Sequence, residues 1–364
     1  MHECRRTLST VVATRNLVLE EHTKGRDNNL NLVRFILAIL VIYSHSFPLS
    51  LGGDFSDPFK RWLGFALGDF AVNAFFTISG FLIARSFIQR KSLGRFGLAR
   101  VARIYPALFV AVVFCIVPVG LSQTSLSTPE YFAEKLTRNF LVKDCLLIPG
   151  KMQFSLPGVF EDVPYPNVVN GSLWTLPYEV SMYVAIAAVG LLGFLKRRIV
   201  ALALCLAIVV AFIGDLGDGS HAIRLGAFGA VGVVMYLFQS QIRIERSVFG
   251  LLSCAGIAMS LLGYANLGSL ILGSYCVLWL GFVPGGTLRS YNKVGDYSYG
   301  MYIFAYPIQQ TVVNLFPAVV PSQMFVVSTL ATLPLAVLSW HFVERPVLQK
   351  VRKRNFVPEM GQEK

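Results

Sequence analysis

The sequence predicts an all-α membrane protein, a polytopic bundle of about ten transmembrane helices with both termini cytoplasmic. Three observations carry this. Apolar residues make up 54% of the chain, with a mean hydropathy of +0.59. Apolar stretches near 20 residues, the length that crosses a bilayer, recur from end to end. Lys and Arg gather on alternate connecting segments, the positive-inside pattern.

Taken in order, residues 1–27 mix charges without an apolar core segment or a cleavage pattern, which predicts a loosely ordered cytoplasmic tail rather than a signal peptide. Span 32–48 then serves as its own insertion signal. Spans 63–84 and 104–121 follow, separated by a basic stretch. Residues 122–171 form an external loop of about fifty residues, a length usually tied to function. It opens with an amphipathic helix near 130–142 and continues through the turn-rich Pro149-Gly150, Pro157-Gly158, Pro164 and Pro166. Spans 172–195, 199–214, 222–239, 248–264, 268–284, 297–316 and 322–342 complete the membrane domain, 28–348, and 349–364 is a cytoplasmic tail. The short spans 199–214 and 248–264 are set off by Lys196-Arg197-Arg198 and by Gln241 to Arg246.

The segments assigned to the cytoplasm hold 24 of the 32 Lys and Arg, so the net charge of +12 reports topology. Basic residues spread over several loops do not form a nucleic-acid footprint. Of six cysteines only Cys145 falls outside, where it has no partner for a disulfide, and no Cys/His metal spacing occurs.

Ionisable residues inside the spans are the sharpest signal, because such groups are costly in lipid and point into a bundle, a cavity or a substrate path. Arg34 and His45 are eleven residues apart. Eleven helical steps close to within about 20° of three turns and rise about 16 Å, placing both on one face at different depths. In the second span Asp69, Asn73 and Gly80 form one stripe beside Ser79; helix packing is the ordinary alternative for Ser79 and Gly80, and a solvated outer carboxylate for Asp69. The fourth span puts Ser172, Thr175 and Glu179 on one face, with Trp174 as an interfacial anchor. Glu179, about 10 Å into its helix, needs a partner, a proton or a wet cavity. Arg100 and Arg103 precede Ile104-Tyr105-Pro106, where they act either as topology determinants or as a guanidinium clamp for a phosphorylated ligand. Tyr299, Tyr302, Tyr306 and Gln309 or Gln310 share a face of the ninth span, in helix contacts or along a sugar-binding wall.

In this order, these motifs resemble the acyltransferase 3 family of integral-membrane O-acyltransferases over residues 28–348. The resemblance rests on Arg34 with His45, Phe75-Phe76-Thr77-Ile78-Ser79-Gly80-Phe81-Leu82, Arg100 with Arg103, Ser172-Leu173-Trp174-Thr175 with Glu179, Tyr297-Ser298-Tyr299-Gly300 with Tyr302, and His341-Phe342-Val343-Glu344-Arg345-Pro346. Many members carry a His where this chain has Ala305, so no catalytic role transfers there. The extracytoplasmic hydrolase-like domain of some members is not expected.

The resemblance implies transfer of an acyl group, usually acetyl, from cytoplasmic acetyl-CoA or another acyl-CoA to a hydroxyl of a surface glycan or lipid-linked saccharide. It implies the bacterial cytoplasmic (inner) membrane as the site, with polysaccharide-assembly proteins as partners and no metal. In this scheme Arg34, Arg100 and Arg103 hold the CoA phosphates, and His45 is the general base. Glu179 orients His45 or binds the acceptor, while Asp69, Asn73, Ser79, Trp174, Tyr299 and Tyr302 support substrate or structure. Desolvation favours the neutral imidazole that a base requires. Direct transfer and an acyl-histidine route both fit. The competing class is a transporter or flippase with Arg34, His45 and Glu179 lining a proton or solute path; the chain shows no internal repeat of the kind many transporters carry.

Overall fold

The computed structural model describes residues 18–25, 27–90, 92–214 and 220–356, and every regular element among them is helical. Five helices are long and apolar enough to cross a membrane: Leu30–Leu51, Leu67–Gln89, Leu93–Gln123, Ala265–Phe282 and Pro321–Arg354. The protein is therefore a polytopic helical membrane protein. Each of the ten expected spans coincides with a helix, but five fall outside that group. Arg198–Ile213, His221–Leu237 and Arg246–Leu261 are shorter apolar helices. At 16 or 17 residues each they extend about 25 Å, less than the roughly 30 Å of a hydrocarbon core. Leu176–Leu191 and Ser298–Leu315 are the other two.

The helices fall into two compact units. The first comprises residues 1–37, 58–85 and 185–296. Close packing joins Leu67–Gln89 to His221–Leu237 through glycine. A Cβ on Gly80 would lie 2.1 Å from the Gly229 carbonyl oxygen, and one on Gly232 would lie 2.1 Å from that of Thr77. Small residues let these backbones touch, so Gly80 is a packing residue. The expected loose tail is ordered where it is described: Leu19–His22 is a helical turn with Leu19 fully buried, its N–H bonded to the Ile242 carbonyl. Residues 1–17 of that tail, and 357–364 of the other, lie outside the described residues.

The second unit comprises residues 38–57, 86–184 and 297–364. Its long helix starts at Leu93, where Ser92 caps the Arg95 N–H. It widens into a π-turn at Cys115–Gly120. Pro118 supplies the reason: with no N–H it cannot bond the carbonyl four residues back, and the ladder relaxes. The 122–171 segment holds two short helices, Thr128–Ala133 and Lys135–Leu146, followed by irregular chain. A capping box starts the first, with the Ser127 N–H and hydroxyl both donating to Glu130. Ser298–Leu315 packs on Pro321–Leu338 along a seam where Gly300 meets Ala336.

Candidate active site

Because its helix begins at Leu93, Arg100 and Arg103 lie two to three turns inside it rather than at its first turn, and both belong to the second unit. Their surroundings differ. Arg103 donates to the buried Glu344 carboxylate at 3.4 Å, and Ser339 donates to the other oxygen of that carboxylate at 3.1 Å. The Arg103 guanidinium also lies 5.7 Å over the Tyr299 ring, whose hydroxyl bonds the Ile104 carbonyl at 3.1 Å. Arg100 instead faces two rings, Tyr183 at 5.6 Å and Phe96 at 5.9 Å, and its buried Nε has no hydrogen-bond partner among the described residues.

Tyr183 joins this pair to Glu179. Its hydroxyl donates to the Glu179 carboxylate from one turn further along Leu176–Leu191. Glu179, expected on the acceptor side, thus lies one tyrosine away from Arg100. Thr175 shares the Glu179 face and bonds the Tyr302 hydroxyl at 2.7 Å. Trp174 packs edge-on against Tyr178 and is half-buried.

His45 sits edge-on to Tyr306, with ring centroids 5.3 Å apart. Gly171 makes room for that tyrosine, since a Cβ there would lie 2.7 Å from the ring. One turn along from Tyr306, the buried Gln309 amide donates to the Ile42 carbonyl and the Ser46 hydroxyl, both at 2.9 Å. Ser44, the neighbour of His45, donates to the buried Asp57 at 2.5 Å.

The remaining expected site residues belong to the first unit. Arg34 pairs with Asp296 at 2.7 Å and lies over the Phe75 ring. Asp69 accepts from Arg224 at 2.6 Å, so it is a paired rather than a merely solvated carboxylate. Asn73 is buried, its side-chain oxygen without a partner among the described residues, and Ser79 is half-buried.

Sequence reasoning gave no role to Asp57, Tyr183, Asp296 or Glu344. Three of them carried a readable signal. Tyr183 stands four residues from Glu179, Asp296 directly precedes the Tyr297-Ser298-Tyr299-Gly300 motif, and Glu344 lies inside the closing motif.

This arrangement offers one guanidinium without a carboxylate, a tyrosine–carboxylate chain beside it, and an imidazole held against a phenol. Comparison with known proteins gives it a chemical class. The profile of a family described as "Acyltransferase domain" matches residues 27–341. An O-acetyl transferase of Shigella phage Sf6 is 28% identical over 343 residues, covering 89% of this chain and 97% of the phage protein. Nodulation protein 10 of Rhizobium leguminosarum bv. viciae is 25% identical over 368 residues, covering 90% of this chain and 95% of that protein. No solved structure matches. With the match running through nearly all the helices described above, the chain belongs to the acyltransferase 3 family and is a multi-pass membrane acyltransferase.

Proposed function

We propose that this protein is an O-acetyltransferase of the bacterial cytoplasmic membrane, moving acetyl from cytoplasmic acetyl-CoA to a hydroxyl of a surface saccharide. Both termini face the cytoplasm in this reading, and all ten apolar helices lie in the membrane. The observation that carries it is Arg100, a guanidinium lying over two aromatic rings with no carboxylate paired to it among the described residues, in a chain aligned over 89% of its length with a protein named O-acetyl transferase. A guanidinium so placed is ready for the phosphates of a CoA thioester.

The chemistry then runs through the second unit. His45 takes the proton of the saccharide hydroxyl as that oxygen attacks the thioester carbonyl. The tetrahedral intermediate collapses, the carbon–sulfur bond breaks, and the thiolate leaves as CoA after receiving the proton from His45. An acetyl ester on the saccharide is the other product. Tyr306 orients the imidazole. Arg103, fixed by Glu344, braces the donor side, and Glu179 acts through Tyr183. Arg34 shares the helix Leu30–Leu51 with His45, about three turns away.

Mass spectrometry of surface glycans from cells with and without the gene tests the reading. One acetyl group per repeat unit, lost on deletion and restored by the intact gene, is the expected result. Unchanged glycans in both would overturn it.

A further inference from the structure

The 122–171 segment was expected to be an aqueous loop or lid, yet part of it lies alongside a membrane helix. The long helix of the second unit, Leu93–Gln123, runs 31 residues and is apolar enough to cross a membrane; at about 46 Å it is longer than a hydrocarbon core. Tyr131, from Thr128–Ala133, donates to the carbonyl of Ile116 at 3.0 Å, and its hydroxyl fills the space beside Gly120 where a Cβ would lie 2.0 Å away. Ile116 is seven residues before Gln123, so this contact lies about 10 Å before the end of that helix.

The neighbouring helix Lys135–Leu146 packs on the same span through Thr137, Phe140 and Asp144, all buried. Its opposite side combines two chemistries. Val142 and Leu146 are 54% and 56% exposed, flanked by Leu136 and Leu141, with Phe132 and Ile148 exposed at either end. Lys135 and Arg138 are exposed on this outward side, and Lys143 is half-buried. Apolar side chains beside basic residues whose stems can lie along them are what a helix resting on a membrane surface presents.

We infer that Lys135–Leu146 is an interfacial helix whose partner is the lipid surface itself: Val142, Leu146 and their flanking leucines enter the acyl boundary, and Lys135, Arg138 and Lys143 reach anionic headgroups. A second copy of the chain would also cover the apolar side chains, but it would have to find acidic partners for three basic ones. On this helix and its immediate flanks the acids are Glu130, Glu134 and the buried Asp144.

The test uses the full chain with its native cysteines replaced, reconstituted into vesicles of phosphatidylcholine with or without phosphatidylglycerol. Single cysteines at Val142→Cys, Leu146→Cys and, as a reference on the exposed loop, Asp162→Cys carry a nitroxide. Collision with molecular oxygen reports lipid, and collision with a water-soluble nickel chelate reports water. The expected result is a shift of the ratio towards oxygen at 142 and 146 relative to 162, enlarged by phosphatidylglycerol. That enlargement should be lost in the Lys135→Ala, Arg138→Ala, Lys143→Ala variant. Labels at 142 and 146 as open to the chelate as the label at 162, or shielded from both reagents, would overturn the proposal.

Discussion

Arg103 is bonded to the buried carboxylate of Glu344, while Arg100, one turn earlier on the same helix, lies over aromatic faces and pairs with no carboxylate among the described residues. The two arginines are therefore unequal partners for a donor anion. Arg100→Ala removes the unneutralised guanidinium, and charge-assisted hydrogen bonds of about 1.5–3 kcal/mol translate into roughly 10- to 100-fold weaker acetyl-CoA binding. Arg103→Ala strands the Glu344 carboxylate in a buried setting and should lower thermal stability as well as transfer. Glu344→Gln in the Arg103→Ala background should restore part of that stability. Calorimetric binding and melting of the purified variants distinguish the two roles; identical losses at both positions would count against the asymmetry.

His45→Ala should reduce acetyl transfer by about 10²- to 10⁴-fold, the usual worth of a positioned proton carrier. Acetyl-CoA affinity should hold. The readout is product ester per unit of membrane-inserted protein, with binding measured in parallel, and near-normal turnover would remove His45 from the mechanism.

Tyr183→Phe keeps the ring under Arg100 but releases the Glu179 carboxylate. If Glu179 acts through this tyrosine, Tyr183→Phe and Glu179→Gln should each lower kcat with little change in acetyl-CoA affinity, and the double variant should be no worse than either single one. Additive losses would mean that the two side chains work separately.

Asp144 gives a pH signature independent of catalysis. Its carboxyl is buried beneath the helix Lys135–Leu146 and accepts the Gln153 N–H at 2.7 Å; burial pushes its pKa up to about 7. A carboxyl raised in the folded state stabilises that state while protonated in both states. The benefit drains away as pH climbs from about 4, the unfolded value, to about 7, and above that the loss is complete. Asp144→Asn retains the acceptor and cannot ionise. The melting temperature of the wild type relative to Asp144→Asn should therefore fall across that window and level off above it, and parallel curves would refute the assignment.

Gly80→Ala should be poorly tolerated despite its small size, because the added carbon meets the backbone of Gly229, which cannot swing aside as a side chain would. Overpacking of this kind costs about 1–3 kcal/mol. Ser79→Ala, on a half-buried position beside it, should be close to silent in the same melting assay.

Much of this architecture was legible because membrane insertion demands long apolar runs, and each expected run does fold as a helix. The short spans were legible too: Arg198–Ile213 and Arg246–Leu261 are 16 residues each, close to the lengths read from the sequence. The arginine pair was found but misplaced, since the helix starts at Leu93 within a basic stretch that hydropathy assigns to a loop. The partners were hardest to see. Glu344 meets Arg103 from 241 residues away, and Asp296 meets Arg34 from 262. Periodicity reports the face a residue shares on its own helix and carries no information about which distant carboxylate will face it.

The junction before Leu176–Leu191 has a bearing on how a bulky acceptor reaches the interior. Gln310 donates to the carbonyls of Tyr165 and Val168, at 2.8 and 2.7 Å, and Asn170 donates to that of Ile303 at 2.8 Å. Three cross-links tie the tail end of the external segment to a single helix. At about 1 kcal/mol net for each bond, detaching this end would occur in fewer than about one molecule in a hundred at equilibrium. This margin acts as a sealed seam; if the acceptor is the saccharide proposed above, its route passes a different edge of the segment.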